Sequence, residues 1–479
     1  MAQHLRCSGG TAARAPQGCA RAGRGPARAR TTSPGTRAAG RTERGNTMTI
    51  QGRGNGRGRP DRPQVAVVGA GVAGLTAAYL LQRAFDVTLY EAQDRLGGHA
   101  HTHDIPAGDG RLLALDSGFL VHNTRTYPNL IRLFGELGVA TQDTEMSMSV
   151  RCEGCGLEYA GSRGPLGLFP TVGSVIRPEY LAALAAVPGF YQDARRLLAS
   201  PGPEPLSLGE FLRQGGYRRY FVTHFVIPLV AAVWSCPQAE ALAYPARYLF
   251  EFLDHHGMLR VARSPGWRTV TGGSRSYVER IAKQLTTVTA GVPVRAIRRA
   301  GGAVDIHDDG GGTRHFARAV IATHPDEALC LLDPPTAAER DVLGAFRYTS
   351  SEVVLHTDAA VLPRAKAARA SWNYLLRDCA ATAANVHVSY HLNRLQGLDE
   401  PADYLVTLNA LDRVRPLRVL ARMTYGHPVY DQWSVAAQRR LGELNTPTLA
   451  YAGAYHGWGF HEDGCRSGIE AARALGVDW

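Results

Sequence analysis

Residues 65 to 98 read VAVVGAGVAGLTAAYLLQRAFDVTLYEAQDRLGG, an apolar run, a glycine turn, an amphipathic stretch, a second apolar run and a glycine pair. Gln64 to Val68 is a short apolar segment ahead of glycine and predicts a buried parallel strand. Gly74 to Ala84 places Leu75, Ala78, Tyr79 and Gln82 at turn spacing and predicts a helix, and Val87 to Tyr90 predicts the next strand. That is a βαβ unit. Gly69-x-Gly71-x-x-Gly74 falls at its strand-to-helix junction, with Val72 and Ala73 inside the turn. Gly71 lets the backbone approach a pyrophosphate, and Gly74 lets the helix pack against the strand. The free N–H groups and positive end of the helix favour phosphate there. Glu91 ends the second strand, about 20 residues after the glycines, where a carboxylate accepts ribose hydroxyls. The expected ligand is a dinucleotide, and these features do not distinguish NAD from FAD.

The next residues do. Glu91-Ala92-Gln93-Asp94-Arg95-Leu96-Gly97-Gly98 resembles the E-A-x-x-R-x-G-G signature of the flavin-containing amine oxidase and phytoene desaturase superfamily. The resemblance implies an FAD diphosphate and flavin wrapped by Ala92, Arg95, Gly97 and Gly98. Arg95 can counter phosphate charge. Where many amine oxidases carry a second arginine, this chain has His99. Thr271-Gly272-Gly273, the segment Val292 to Val294, and Val320-Ile321-Ala322-Thr323 resemble the superfamily's second nucleotide segment, which implies a cofactor contact at Val294. Tyr451-Ala452-Gly453-Ala454, the loop Gly459 to Gly464, and Ser467-Gly468 resemble its closing flavin motif, which implies contacts at Gly453, Asp463 and Gly464. Within the superfamily the chain is similar to a bacterial subgroup of NAD/FAD-binding oxidoreductases associated with modified fatty-acid metabolism, through Leu355 to Asp358, Ser371 to Tyr374 and His427 to Val429. This implies a hydrophobic, lipid-like substrate, fatty-acyl or isoprenoid, which the enzyme oxidises or desaturates. Amine or amino-acid oxidation is the alternative. A further one is a non-catalytic flavoprotein partner of a lipid-modifying enzyme.

The expected fold is α/β: a discontinuous Rossmann-like FAD-binding domain with an inserted α+β substrate domain. Nucleotide segments fall at 63–151, 270–330 and 441–479. A mostly helical cap falls at 152–269, with its clearest helices at 180–199 and 239–259. An antiparallel substrate sheet falls at 331–440. The last helix is expected at about 467–475.

Net charge is +11, yet residues 1–62 hold 13 arginines against only Glu43 and Asp61, so the rest of the chain is neutral. The basicity belongs to a Gly/Pro/Ala/Arg segment too polar to pack, expected to be disordered. It reads as an RNA- or membrane-binding arm or as a leader ahead of a start at Met48. The absence of aromatic residues among its arginines favours the leader and argues against nucleic acid. No apolar run reaches the roughly 20 residues of a bilayer span. The expectation is a cytoplasmic protein, with peripheral membrane contact left open.

Among catalytic candidates, His461 stands within the closing flavin motif and has an ordinary pKa near neutrality, which suits proton transfer; Glu462 is the second candidate. The chain has only two lysines, Lys283 and Lys366, and neither falls where amine oxidases of this superfamily place one near the flavin. The strand expected there offers Ser351 and Glu352. Trp458, Phe460 and His461 stand where an amine-binding cage wants tyrosine. Phe225 to Trp234 reads as core, with a substrate tunnel as the alternative. Trp372 and Tyr374 share one strand face, and core packing is favoured over a channel lining. No metal site is expected. His99, His101 and His103 alternate without other converging ligands, and Cys152-x-x-Cys155 has no second CxxC, so it reads as a loop without function.

Overall fold

The computed structural model describes residues 49–51, 62–201, 206–260, 265–380 and 386–479. Five apolar strands form its first sheet: Thr287–Ala290, Asp86–Glu91, Gln64–Val68, Arg318–Ile321 and Leu449–Tyr451, in that spatial order and all parallel. Strands buried on both faces carry no polar alternation, and Val65, Val67, Leu89, Val320 and Ala450 are fully buried. One face is covered by helices Val72–Leu81, Pro128–Leu137, Arg275–Ala282 and His461–Ala474. The other is covered by the three-stranded sheet Val294–Ala300, Ala303–Asp308 and Thr313–Phe316, whose Val304, Ile306 and Phe316 pack with Ala66, Val68 and Tyr90. The strands come from three separate stretches of chain, as the discontinuous Rossmann-like reading requires.

A seven-stranded mixed sheet forms the second domain, in the order Val419–Val429, Arg347–His356, Leu405–Leu408, His387–His391, Trp372–Leu376, Met148–Cys152 and Glu158–Ala160. Among the described residues its only parallel pairing joins Trp372–Leu376 to Met148–Cys152. Met148–Cys152, which reaches the expected boundary at 151/152, pairs within this second sheet. The cap is helical, with Pro178–Ala199, Leu208–Gln214, Ile227–Trp234 and Ala246–His255 around Phe190, Phe211, Phe221 and Phe250. The helix expected over 239–259 is broken at Tyr244-Pro245, because proline cannot donate to the preceding turn.

Two further expectations change. Thr49–Gln51, inside the segment expected to be disordered, pairs antiparallel with Thr287–Ala290 and extends the first sheet. An unpaired edge strand accepts any β-prone triplet of suitable length. The remainder of that expectation lies outside the described residues, apart from Arg62. The last helix, expected at 467–475, starts at His461, so Asp463 and Gly464 sit in its first turn. No helix among the described residues is long and apolar enough to cross a membrane.

Candidate active site

Two glycine segments clasp each other at the carboxyl ends of the parallel strands. The Gly97 N–H donates to the Ala70 carbonyl at 2.8 Å, and a Cβ on Gly98 would lie 3.1 Å from the Gly71 Cα. Glu91 fixes the turn from below: one carboxylate oxygen accepts the Ala70 N–H at 2.8 Å and the other the Gln93 N–H at 2.9 Å. Each oxygen keeps a lone pair for a hydroxyl. Ala92 is exposed beside it. Gly74 is fixed by contact, since a Cβ there would stand 1.9 Å from the Gly69 carbonyl oxygen. Gly71 differs: a Cβ there would meet nothing within 4 Å. Helix Val72–Leu81 opens at that point with no side-chain cap. Arg95, half-buried, donates to the Gly98 carbonyl at 2.8 Å and makes no ion pair among the described residues. Open space above Gly71, uncapped N–H groups and an unpaired guanidinium together fit a diphosphate. Val294 lies in the same buried cluster as Val68 and Tyr90, next to the end of the Glu91 strand.

Helix His461–Ala474 packs directly on the glycine helix. A Cβ on Gly464 would stand 2.6 Å from Val72 Cγ1, and one on Gly468 2.4 Å from the Ala73 carbonyl oxygen. The Gly453 N–H donates to Ser467 Oγ at 2.9 Å, which ties the last strand to this helix. Buried Asp463 accepts the Phe460 N–H at 3.1 Å and caps the helix, and burial raises its pKa. The start of the last helix, the glycine turn and the Gly97-Gly98 pair thus converge.

Next to them lies a histidine cluster. His99 stacks against Tyr425 at 4.9 Å and approaches His427 at 5.8 Å. Burial, and then the neighbouring His427, His324 and His461, hold the His99 pKa well below its ordinary value. His461 is stacked on Phe119 at 3.7 Å, and burial pushes its pKa down to about 3. Burial brings His427 down to about 4. The expectation that His461 titrates near neutrality is therefore corrected: desolvation of its ring, and then His122, favour the neutral imidazole. His461 Nε2 and His427 Nδ1 are buried and have no hydrogen-bond partner among the described residues. Two buried ring nitrogens without partners fit the polar edge of a bound heterocycle.

Glu462 is also reassigned. Its carboxylate accepts the Asn129 N–H at 3.1 Å, the Asn129 side-chain amide at 2.7 Å and the Leu130 N–H at 3.0 Å. It caps helix Pro128–Leu137, whose own N-cap residue makes no side-chain bond. Its protein partners make it a positioning residue.

The remaining wall is aromatic. Phe460 stacks on Phe252 at 4.9 Å, and Trp458 approaches Phe252 at 5.8 Å and Tyr248 at 6.1 Å. The Trp234 indole N–H donates to the Trp458 carbonyl at 3.1 Å, so the cap holds the flavin-motif loop. The rest of Phe225 to Trp234 is core, with Ile227, Val230 and Ala231 buried. Trp372 and Tyr374 pack within the substrate sheet against Tyr390 and Val150. Lys283 and Lys366 are exposed, Ser351 is buried and Glu352 faces solvent. Sequence reasoning assigned no site role to His324, His427 or Tyr425. His324 follows a parallel strand's carboxyl end, which is where ligands of such sheets lie. His427 lies in a segment that carried the subgroup resemblance without a role, and Tyr425 carries no local signal.

The family described as flavin containing amine oxidoreductase matches residues 72–377. The putative flavin-containing monoamine oxidase AofH of Mycobacterium tuberculosis is 28% identical over 287 residues, covering 57% of this chain and 60% of AofH. The chain thus spans well under two thirds of that relative's length. A tryptophan 2-monooxygenase of Rhizobium rhizogenes is 36% identical over 118 residues, which cover 24% of this chain and 12% of that protein. Among solved structures, an engineered putrescine oxidase superposes with TM-score 0.62 at 16% identity, covering 86% of this chain and 98% of that one. A CLA-producing fatty acid isomerase from P. acnes superposes with TM-score 0.62 at 18% identity, covering 88% of this chain and 100% of that one. With the diphosphate cradle in place and the family match extending over most of the described residues, the chain belongs to the flavin-containing amine oxidoreductase family.

Proposed function

We propose that the enzyme oxidises or desaturates an apolar, lipid-like substrate, fatty-acyl or isoprenoid, at a flavin held by Gly69 to Gly74, Glu91, Arg95 to His99, Val294, Gly453, Asp463 and Gly464. The observation that carries this reading is the character of the site wall. It consists of Trp458, Phe460, Phe252 and uncharged histidines, while both lysines lie at the surface. Such a wall favours an apolar chain. The bound flavin supplies two-electron acceptance. The first-turn N–H groups of helix His461–Ala474 supply a positive end that stabilises negative charge on a reduced ring. His461 and His427, being neutral, offer hydrogen bonds without a competing charge. The cap, tied to the loop through Trp234, excludes water.

The fold does not choose between substrates, since its structural neighbours act on amines and on fatty acids. Amine or amino-acid oxidation is the second reading, favoured by the names of the relatives AofH and tryptophan 2-monooxygenase. Anaerobic mixing with lipid extracts tests the first. Bleaching of the flavin, with a product two hydrogens lighter by mass spectrometry, is the expected result. Peroxide release on an amine panel, with no bleaching by any lipid, overturns it in favour of the second. Silence with both, and a co-purifying lipid-modifying enzyme, indicates a redox-inactive partner flavoprotein.

A further inference from the structure

Three cysteines and a histidine converge away from the flavin site, where the substrate sheet meets the cap. Cys152 ends strand Met148–Cys152, and Cys155 lies in the turn before strand Glu158–Ala160. Cys379 follows strand Trp372–Leu376, which runs parallel to Met148–Cys152 with Leu376 opposite Cys152. His224 sits in the π-helical turn Val222–Val226 of the cap. The three sulfurs and one ring nitrogen all lie within 4.8 Å of one another. The CxxC, read from sequence as a loop without function, thus has two further ligand-type side chains beside it. Its partners stand 69 and 227 positions away along the chain, where no spacing rule finds them.

Two of the six edges have the lengths that a zinc tetrahedron requires, and the remaining four lie within 4.8 Å. Cys152 Sγ and Cys379 Sγ are 3.8 Å apart, and Cys155 Sγ is 3.6 Å from His224 Nε2. Zinc bonds of about 2.3 Å to sulfur and about 2.0–2.1 Å to nitrogen at tetrahedral angles require edges of about 3.8 and 3.6 Å. A disulfide between Cys152 and Cys379 requires about 2.05 Å.

The surroundings are also built for ligation. His224 Nδ1 lies 3.1 Å from the Tyr220 carbonyl and donates to it, which directs Nε2 at the sulfurs in the tautomer that binds metal. The Tyr220 ring stacks on His224 at 3.9 Å, and its hydroxyl lies 3.7 Å from Cys155 Sγ. The Tyr159 hydroxyl donates to the His224 carbonyl at 2.7 Å and anchors the π-turn to the CxxC hairpin. Gly154, inside the CxxC, allows the turn to close on the Cys379 loop: a Cβ there would stand 2.9 Å from Asp378 Cα and 3.0 Å from the Cys379 nitrogen. Cys152 and His224 are buried, Cys155 is half-buried and only Cys379 is exposed.

We propose that Cys152, Cys155, Cys379 and His224 bind one structural zinc ion that clamps the cap to the substrate sheet. Four protein ligands close the coordination sphere and leave no position for water or substrate, which makes the site structural and not catalytic. The thiols lose their protons on binding, and no electrons move.

The test uses the full-length flavoprotein purified without added metal. Elemental analysis is expected to return close to one zinc per chain. Cys155→Ser/Cys379→Ser lowers that at least tenfold, whereas Cys236→Ser, at a buried cysteine outside the cluster, leaves it unchanged. If the double variant does not fold, Cys379→Ser at its exposed position is read instead, as at least tenfold faster loss of zinc to a chelator. Protein grown in cobalt is expected to show thiolate–cobalt bands to the red of the flavin absorption. Zinc below about a tenth of an equivalent in a protein whose melting a chelator does not shift overturns the proposal. So does equal zinc in wild type and variants, or a Cys152–Cys379 disulfide in the intact protein.

Discussion

Gly71→Ala separates binding of the cofactor from stability of the fold. Gly71 has φ −71° and ψ 178°, values that alanine adopts freely, and the added methyl meets no protein atom within 4 Å. The stiffer unfolded chain contributes about 0.4–1 kcal/mol, which offsets the poorer N-cap that alanine makes, so the apoprotein changes little in stability. The same methyl occupies the opening through which the uncapped helix N–H groups reach a phosphate. Losing one hydrogen bond to a charged acceptor costs about 1.5–3 kcal/mol. At 1.4 kcal/mol per decade that is about a ten- to hundredfold weaker dissociation constant for FAD. The assay is titration of deflavinated protein with FAD, followed by flavin fluorescence, beside thermal melting of the apoprotein. Gly74→Ala is the contrasting control. Its methyl would stand 1.9 Å from the Gly69 carbonyl, so it disrupts the apoprotein itself. Unchanged FAD affinity in Gly71→Ala would refute the placement of the diphosphate. A melting temperature lowered as far as that of Gly74→Ala would refute the claim that the space above Gly71 is reserved for ligand.

Three other outcomes follow from the same geometry. Glu462→Ala leaves the Asn129 and Leu130 N–H groups without their carboxylate and lowers stability by about 1–3 kcal/mol, while flavin reduction at saturating substrate is unchanged in the folded protein; a large loss in that rate restores Glu462 as a catalytic residue. His427 and His461 have folded pKa values near 4 and near 3. An unfolded histidine titrates at about 6.5, so their contribution is complete above that pH and is lost as pH falls toward 4 and 3, by about 1.4 kcal/mol per unit for each. Urea titrations from pH 7 to 4.5 should show this slope, and His461→Gln should reduce it by about one proton. The pH profile of flavin reduction should show no inflection from His461 near neutrality, and its disappearance in His461→Gln would contradict the buried, neutral assignment.

The nucleotide end of the site was legible because its chemistry is carried by the backbone. Gly71 and Gly74 act through what they lack, and Glu91 acts on Ala70 and Gln93 beside it, so the whole device lies within one βαβ unit. The start of the last helix was hidden by its own glycines. Gly464 and Gly468 lower helix propensity, and the residues before Ser467 read as loop. Contact with Val72 and Ala73 overrides propensity, since only a bare Cα allows the two helices to approach so closely. The substrate side was not legible for a different reason. His99, His324, His427, His461 and Phe460 arrive from four separate stretches of chain, and a histidine's pKa depends on that assembly more than on its motif. A neutral residue with a near-neutral reference pKa looks like an acid–base group until its burial is known. The cysteine cluster makes the same point in reverse: Cys152 and Cys155 stand at a recognisable spacing, but the side chains beside them come from a cap helix and from the loop after a parallel neighbour strand. Local spacing reports chemistry that a single loop can perform, and side-chain chemistry assembled across the sheet becomes visible only with strand order and register.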